Sequence, residues 1–398
     1  MRPGDTVLVG TGAAEPRELI EHLICAAESI PGGVRVIQIM AGGQERLAKA
    51  SGTSVHLMTP VPGKLSRVAI AEGRAQLLRQ SIGEILDQMD DGRLRIDGVL
   101  LQGRMDGPQH ATPGLCSDIV VPAWAKARFR AIELNAAAPY IFSNCRLDLN
   151  EADIVLHTDY AVGEMPNETE GVFSSRIGNF VADCVVDGAT IEMGIGRTLA
   201  GIPKALIATR RDLAMHTGRV GDWAMDLIEA GCVSRQIRGR AVAVGAAAIG
   251  TSSFYQWADA NRSIAIVDSQ TAHNVRHLAA QQKFTAINGV LEVDLTGSAN
   301  SSVKGGMVVS GAGGAKEFAR AGASAHGSIV VLSATTTSGK SRIVPRVEFE
   351  TLSCGEITHV VTEFGVARIK GLSRHACAHA LISIADPRHR DSLEKAIA

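Results

Sequence analysis

The chain has 398 residues, 45% of them hydrophobic, with 40 Lys+Arg against 41 Asp+Glu, so it has ample material for buried cores and reads as a soluble globular protein of two domains. A net charge of −1 supplies no basic field for phosphate backbones, and an aromatic content of 4% removes the usual stacking platforms, which argues against nucleic acid as a partner. The seven cysteines are scattered without a C-x-x-C pair, the N-terminus lacks a signal-peptide pattern, and no uncharged run reaches the roughly 18 apolar residues of a membrane span, so the expected compartment is the cytoplasm, with reduced thiols.

In chain order, the β-branched runs and helical periodicities predict strand over 5–10, helix over 16–30, strand over 34–40, helix over 74–89 and strand over 97–101. The acidic stretch 149–170, with Pro166 and Asn167, separates this series from a second one and gives the expected domains, 1–170 and 171–398. The second series predicts strands over 189–193, 213–216, 241–245, 264–268 and 329–333, with helices over 204–210, 222–230 and 373–385. Alternation of this kind defines an α/β fold with mainly parallel sheets, and two such domains place a site in the cleft between them.

Several motifs fall short of a known chemistry. Gly10-Thr11-Gly12 follows a strand but has Glu15 where the third glycine of a dinucleotide fingerprint belongs. Gly339-Lys340-Ser341 resembles the end of a phosphate loop whose first glycine is replaced by Ala334. The pairs His273/His277 and His375/His379 have i, i+4 spacing without the H-E-x-x-H glutamate, which favours surface or packing roles over a metal site. Ser310-Gly311-Ala312-Gly313-Gly314, directly before a helical pattern, is more informative, because such a turn can direct backbone amides at a phosphate or an oxyanion. Gly194-Ile195-Gly196 follows another strand, and His216 is read as lying at a strand's C-terminal end, where open α/β sheets hold ligands.

Taken together, the segments resemble the acetyl-CoA hydrolase/transferase family, the branch of CoA-transferases that includes 4-hydroxybutyrate and acetate CoA-transferases. The resemblance runs from Pro3-Gly4-Asp5 and Glu15-Pro16 through Glu133-Leu134-Asn135, Gly194-Ile195-Gly196 and Ile202-Pro203. It is densest in the C-terminal third, at Ile287-Asn288, at Glu292 through Gly297, at Ser310 through Gly314 with Phe318, and at Val361 through Ala367. It implies a pair of related open α/β domains of the CoA-transferase type with the site between them, coenzyme A present as an acyl-CoA substrate, no metal, and a homodimer or larger assembly. Gly194, Gly196, Ser310, Gly311, Gly313 and Gly314 are the CoA-binding positions it implies.

Three departures touch the chemistry that the resemblance implies. The family's nucleophilic glutamate, two residues after the histidine matching His216, is Gly218 here. Gln102 through Gly107 replace a Ser-Pro-Pro-Asp stretch, and Ile191-Glu192 replace Leu-Gln. Three readings result. In the first, His216 is a general base for hydrolysis or direct acyl transfer to water, a carboxylate or another nucleophile, with no glutamyl-CoA intermediate. In the second, Glu192 substitutes as nucleophile for CoA transfer. In the third, the protein is a non-catalytic acyl-CoA binder.

Overall fold

A computed structural model describes residues 1–40, 45–166, 168–237, 239 and 241–397, so Asn167 of the anticipated linker lies outside the described residues. Seven parallel strands form the main body of a first sheet: β1 (Thr6–Val9), β2 (Val34–Gln38), β3 (Val55–Thr59), β4 (Gln76–Leu77), β5 (Gly98–Met105), β6 (Phe129–Asn135) and β7 (Ile154–Thr158). Their order is β4-β3-β2-β1-β5-β6-β7. Val7, Leu8 and Val9 are fully buried, because a central parallel strand is covered on both faces.

The second sheet contains β8 (Thr190–Met193), β9 (Ala214–Val220), β10 (Ala243–Ala248), β11 (Ile264–Ile266), β12 (Thr285–Gly289), β13 (Gly327–Val331), β14 (His359–Thr362) and β15 (Gly365–Arg368). Its order is β11-β10-β9-β8-β12-β13-β14-β15, parallel except for the final hairpin. Through β14 this repeats the winding of the first sheet. In each half the chain starts in mid-sheet, moves outward on one side, then crosses to the other. The break in strand order, between β1 and β5 and between β8 and β12, leaves a crevice at the carboxyl ends of the strands.

Backbone hydrogen bonds join the halves. Ala248 N donates to Leu115 O at 2.7 Å, Ser117 N to Ala246 O at 3.0 Å, and Ile266 N to Phe142 O at 2.8 Å, so segments of the first half extend the second half's sheet. Among the described residues, no helix is long and apolar enough to cross a membrane.

Two readings of the sequence need correction. Residues 74–89 are not one helix: β4 uses Gln76 and Leu77, and α1 (Ile82–Asp90) starts at the Ser81-x-x-Glu84 capping box, whose reciprocal bonds fix the helix start. Strand β9 does not end at His216 but runs on to Val220, in register with β10 through Val220↔Ala248, so His216 lies within the strand.

The Ser81 hydroxyl also donates to the buried Glu317 of the second half at 2.5 Å, and burial pushes the Glu317 carboxyl up to about 7. Replacing Ser81 with Ala removes a helix cap and a buried hydrogen bond together, so Ser81→Ala is expected to cost about 1–3 kcal/mol in a urea titration.

Candidate active site

A cavity of about 450 Å³ opens where the carboxyl ends of the two sheets meet. Thr11 after β1, Met40 after β2 and Val61 after β3 supply one wall. The opposite wall comes from Glu192 through Leu199 at and beyond the end of β8, from Thr217, Gly218 and Arg219 in β9, and from Asn288 through Leu291 at the end of β12. The turn from Ser310 to Gly314 closes the remaining side. Thus Glu192, Gly194, Gly196, Gly218, Ser310, Gly311, Gly313 and Gly314, scattered in the sequence, share one cavity.

The turn is held by contacts that exclude side chains. A Cβ on Gly311 would lie 1.5 Å from the Pro60 carbonyl oxygen of the first half, and one on Gly314 would lie 2.4 Å from the His273 ring. Gly313 has φ of +50°, the left-handed region that glycine enters without penalty. Its carbonyl accepts from Ile82 N, the first residue of α1, at 2.9 Å. The amides of Gly311, Ala312, Gly313 and Gly314 donate to no described residue, and they precede α2 (Ala315–Ser324). Unpaired amides at a helix start are preorganised donors for an anion. Gly194 differs, since its N–H is already committed to Ile287 O at 2.9 Å.

Glu192 is buried at the end of β8, where the pairing Glu192↔Ala286 brings it beside β12. Its Oε2 accepts from Asn288 Nδ2 at 2.9 Å and from Ile287 N at 3.3 Å. Burial pushes its carboxyl up to about 8, against the pull of those two hydrogen bonds, so the uncharged acid predominates at neutral pH.

At Gly218 there is open room: a Cβ there would meet Phe318 at 3.5 Å and His273 Nε2 at 3.6 Å, both ordinary contacts. His216 does not line the cavity. It is 1% exposed, two residues deeper in β9, with its ring 5.6 Å from that of His277. Nor do Gln102 through Gly107 reach the cavity. Gln102 donates to Glu15 O and to the Tyr160 hydroxyl, which in turn donates to Glu133. Glu133 caps the first helix of the chain by accepting from Glu18 N and Leu19 N at 2.9 and 3.1 Å.

Three cavity residues escaped the sequence reading of the site. Asp118, at φ +35°, accepts from Ser269 Oγ at 2.9 Å, and burial pushes its carboxyl up. Arg219 donates from Nε to Ile249 O at 3.1 Å and from Nη1 to Met165 Sδ at 3.2 Å, and it borders an adjoining cavity of about 340 Å³ walled by Met165, Leu199, Pro203, Ile207 and Trp223. His273 is the third. It does not share a helix with His277: it caps the short helix Ser269–Ala272, and His277 belongs to the next one, Val275–Ala279. The only signal for it was the histidine spacing. Among the described residues, no group of three or more His, Cys, Asp or Glu is arranged to hold a metal.

The fold and site together define an open α/β protein with a ligand cavity at a doubled topological switch point. Residues 250–397 match the acetyl-CoA hydrolase/transferase C-terminal domain. Over its length the chain is 26% identical to a 4-hydroxybutyrate coenzyme A transferase of Clostridium kluyveri, covering 97% of this chain and 92% of the relative. It is 28% identical to a succinyl-CoA:cyclohexane-1-carboxylate CoA transferase of Geobacter metallireducens, covering 100% and 92%. The crystal structure of RipA from Yersinia pestis superposes with a TM-score of 0.89 at 25% identity, covering 100% of this chain and 94% of that one. Residues 250–397 thus match that family's C-terminal domain, and the chain is similar along its whole length to CoA-transferases.

Two expectations follow from this geometry. Gly311→Ala forces a methyl group into a backbone carbonyl of the other half, so its unfolding free energy should fall by at least about 2 kcal/mol. Glu192 has a folded pKa above its ordinary value of 4.5, so the stability it contributes is full below about pH 4.5 and is lost as pH rises through about 8. Glu192→Gln should therefore lose less stability than the parent protein between pH 5 and pH 8, as followed by urea unfolding at each pH.

Proposed function

We propose that the protein is a CoA-thioester enzyme that hydrolyses a small acyl-CoA or passes its acyl group directly to an acceptor, without a glutamyl-CoA intermediate. The observation that carries this reading is the junction of the unpaired amides at 311–314 with an open Gly218 in one cavity. The amides supply donors for the oxyanion that develops when a thioester carbonyl is attacked. Gly218 offers no carboxylate to attack it. The match of residues 250–397 to the acetyl-CoA hydrolase/transferase C-terminal domain and the names of the two transferases above support coenzyme A as the carrier of the acyl group.

Glu192 is the carboxyl group nearest in role to the missing one, but attack requires its anion. Burial pushes that carboxyl up to about 8 and so disfavours the anion at neutral pH. The uncharged carboxyl is suited instead to donating a hydrogen bond or a proton to the thioester oxygen or the departing thiolate. The cavity beside Arg219, walled by Met165, Leu199, Ile207 and Trp223 together with Glu168, Glu170, Lys204 and Asp226, is the space we assign to the acyl group.

Intact-mass spectrometry and free-thiol release test the reading on one sample. With acetyl-CoA or butyryl-CoA, with and without a carboxylate acceptor, we expect free CoA to accumulate while the protein mass stays unchanged. A stable gain of one CoA that maps to Glu192 would replace this mechanism with covalent CoA transfer. Binding with no turnover of either thioester would leave a non-catalytic acyl-CoA binder.

A further inference from the structure

We propose that His273 accepts the proton of the attacking water, taking the place anticipated for His216. This inference rests on the hydrolytic reading above and adds to it the group that activates the nucleophile.

Position is the first argument. His273 lines the cavity, and its Nε2 stands 3.6 Å from where a Cβ on residue 218 would be. The imidazole therefore occupies the neighbourhood in which the family resemblance expects a reacting carboxylate. Gly314 makes this possible: any side chain there would overlap the ring at 2.4 Å, so the glycine turn that presents the amides also admits the imidazole beside them. The base and the oxyanion donors thus flank a common space, as addition of water to a carbonyl requires.

Packing is the second. His273 is 5% exposed, and its ring lies 5.0 Å from that of Phe318, which restricts its tilt without consuming a ring nitrogen. Burial pushes its pKa down to about 4, against a smaller opposing effect of the Ser269 backbone. A neutral imidazole is therefore available as an acceptor across the physiological range.

The third argument concerns where the proton goes. His273 also borders a second cavity of about 460 Å³, whose wall includes Glu84, Asp87, Asp90 and Glu317 along with Arg276 and Arg320. One residue thus borders both the substrate cavity and a second chamber, and its imidazolium is required only between the attack of water and the departure of the thiolate. In the step we assign, the water oxygen bonds to the thioester carbon while one water proton passes to His273 Nε2. The tetrahedral oxyanion collapses, the C–S bond breaks with its electron pair on sulfur, and the imidazolium protonates the thiolate. The products are a carboxylic acid, which ionises, and the CoA thiol.

The test measures thiol release from acetyl-CoA and butyryl-CoA by the parent protein, His273→Ala and His273→Gln, with CoA affinity and circular dichroism reporting on folding. Loss of the base should lower kcat at least about 100-fold in both variants with a much smaller change in KM. Added imidazole should restore part of kcat to His273→Ala, where a ring-sized space is left, and little to His273→Gln. Variants that keep kcat within threefold of the parent would overturn the inference while leaving hydrolysis intact. Loss of kcat in folded variants with no rescue of His273→Ala would overturn proton transfer by this residue. If the parent protein itself releases no CoA from either thioester, the hydrolytic reading falls and this inference falls with it.

Discussion

The close approach of residues 310–314 to the first half of the chain is the constraint on which the site depends. Gly311 lies so near the Pro60 carbonyl that no side chain fits, and the Gly313 carbonyl receives the first N–H of α1. One short turn of the second half is thus clamped between a loop and a helix start of the first. Fixing the turn in this way holds in place, without help from a ligand, four amides that donate to no described residue. Preorganised donors of this kind stabilise developing charge at no reorganisation cost during the reaction.

Polar contacts reinforce the same clamp, one buried and one partly exposed. Glu317, one turn along α2, reaches Ser81 at the start of α1, and Lys316 pairs with Glu84 at 2.5 Å. The helix that carries the amides is therefore anchored at its own N-terminus to the N-terminus of a helix in the opposite half. The two sheets repeat one winding order, and segments at the carboxyl ends of both line the same cavity together with the start of the anchored helix.

Much of this architecture is legible in the sequence because it rests on local signals. Runs such as 5–10 and 189–193 are short, β-branched and bounded by turns, and both fall on strands. The glycine turn at 310–314 announced itself by composition. What stayed hidden depends on contacts between distant segments. His216 and Gly218 point to the same face of β9, so the role of the histidine depended on where the strand ended, and it ends four residues later than the local pattern indicates. His273 drew notice only through its spacing from His277, yet what matters about it is its neighbours, Gly218 and Gly314, which lie 55 positions before it and 41 after it. Asp118 comes from the first half and enters the cavity because its segment bonds to the end of β10, a long-range pairing with no local signature. The departure at Gln102 through Gly107 was visible but its meaning was not: Gln102 belongs to a network with Tyr160 and Glu133 beside the first sheet, while Arg104 and Asp106 bond to Ala136 O and Tyr140 away from the cavity.

Burial drives the titratable groups of the cavity toward their uncharged forms. It raises Glu192 and Asp118 and lowers His273. A site built around an attacking carboxylate needs the opposite, an anion kept ionised by nearby donors or cations. A cavity with glycine at position 218, and with Glu192, Asp118 and His273 held toward their uncharged forms, is therefore physically suited to proton exchange rather than to attack by a carboxylate anion.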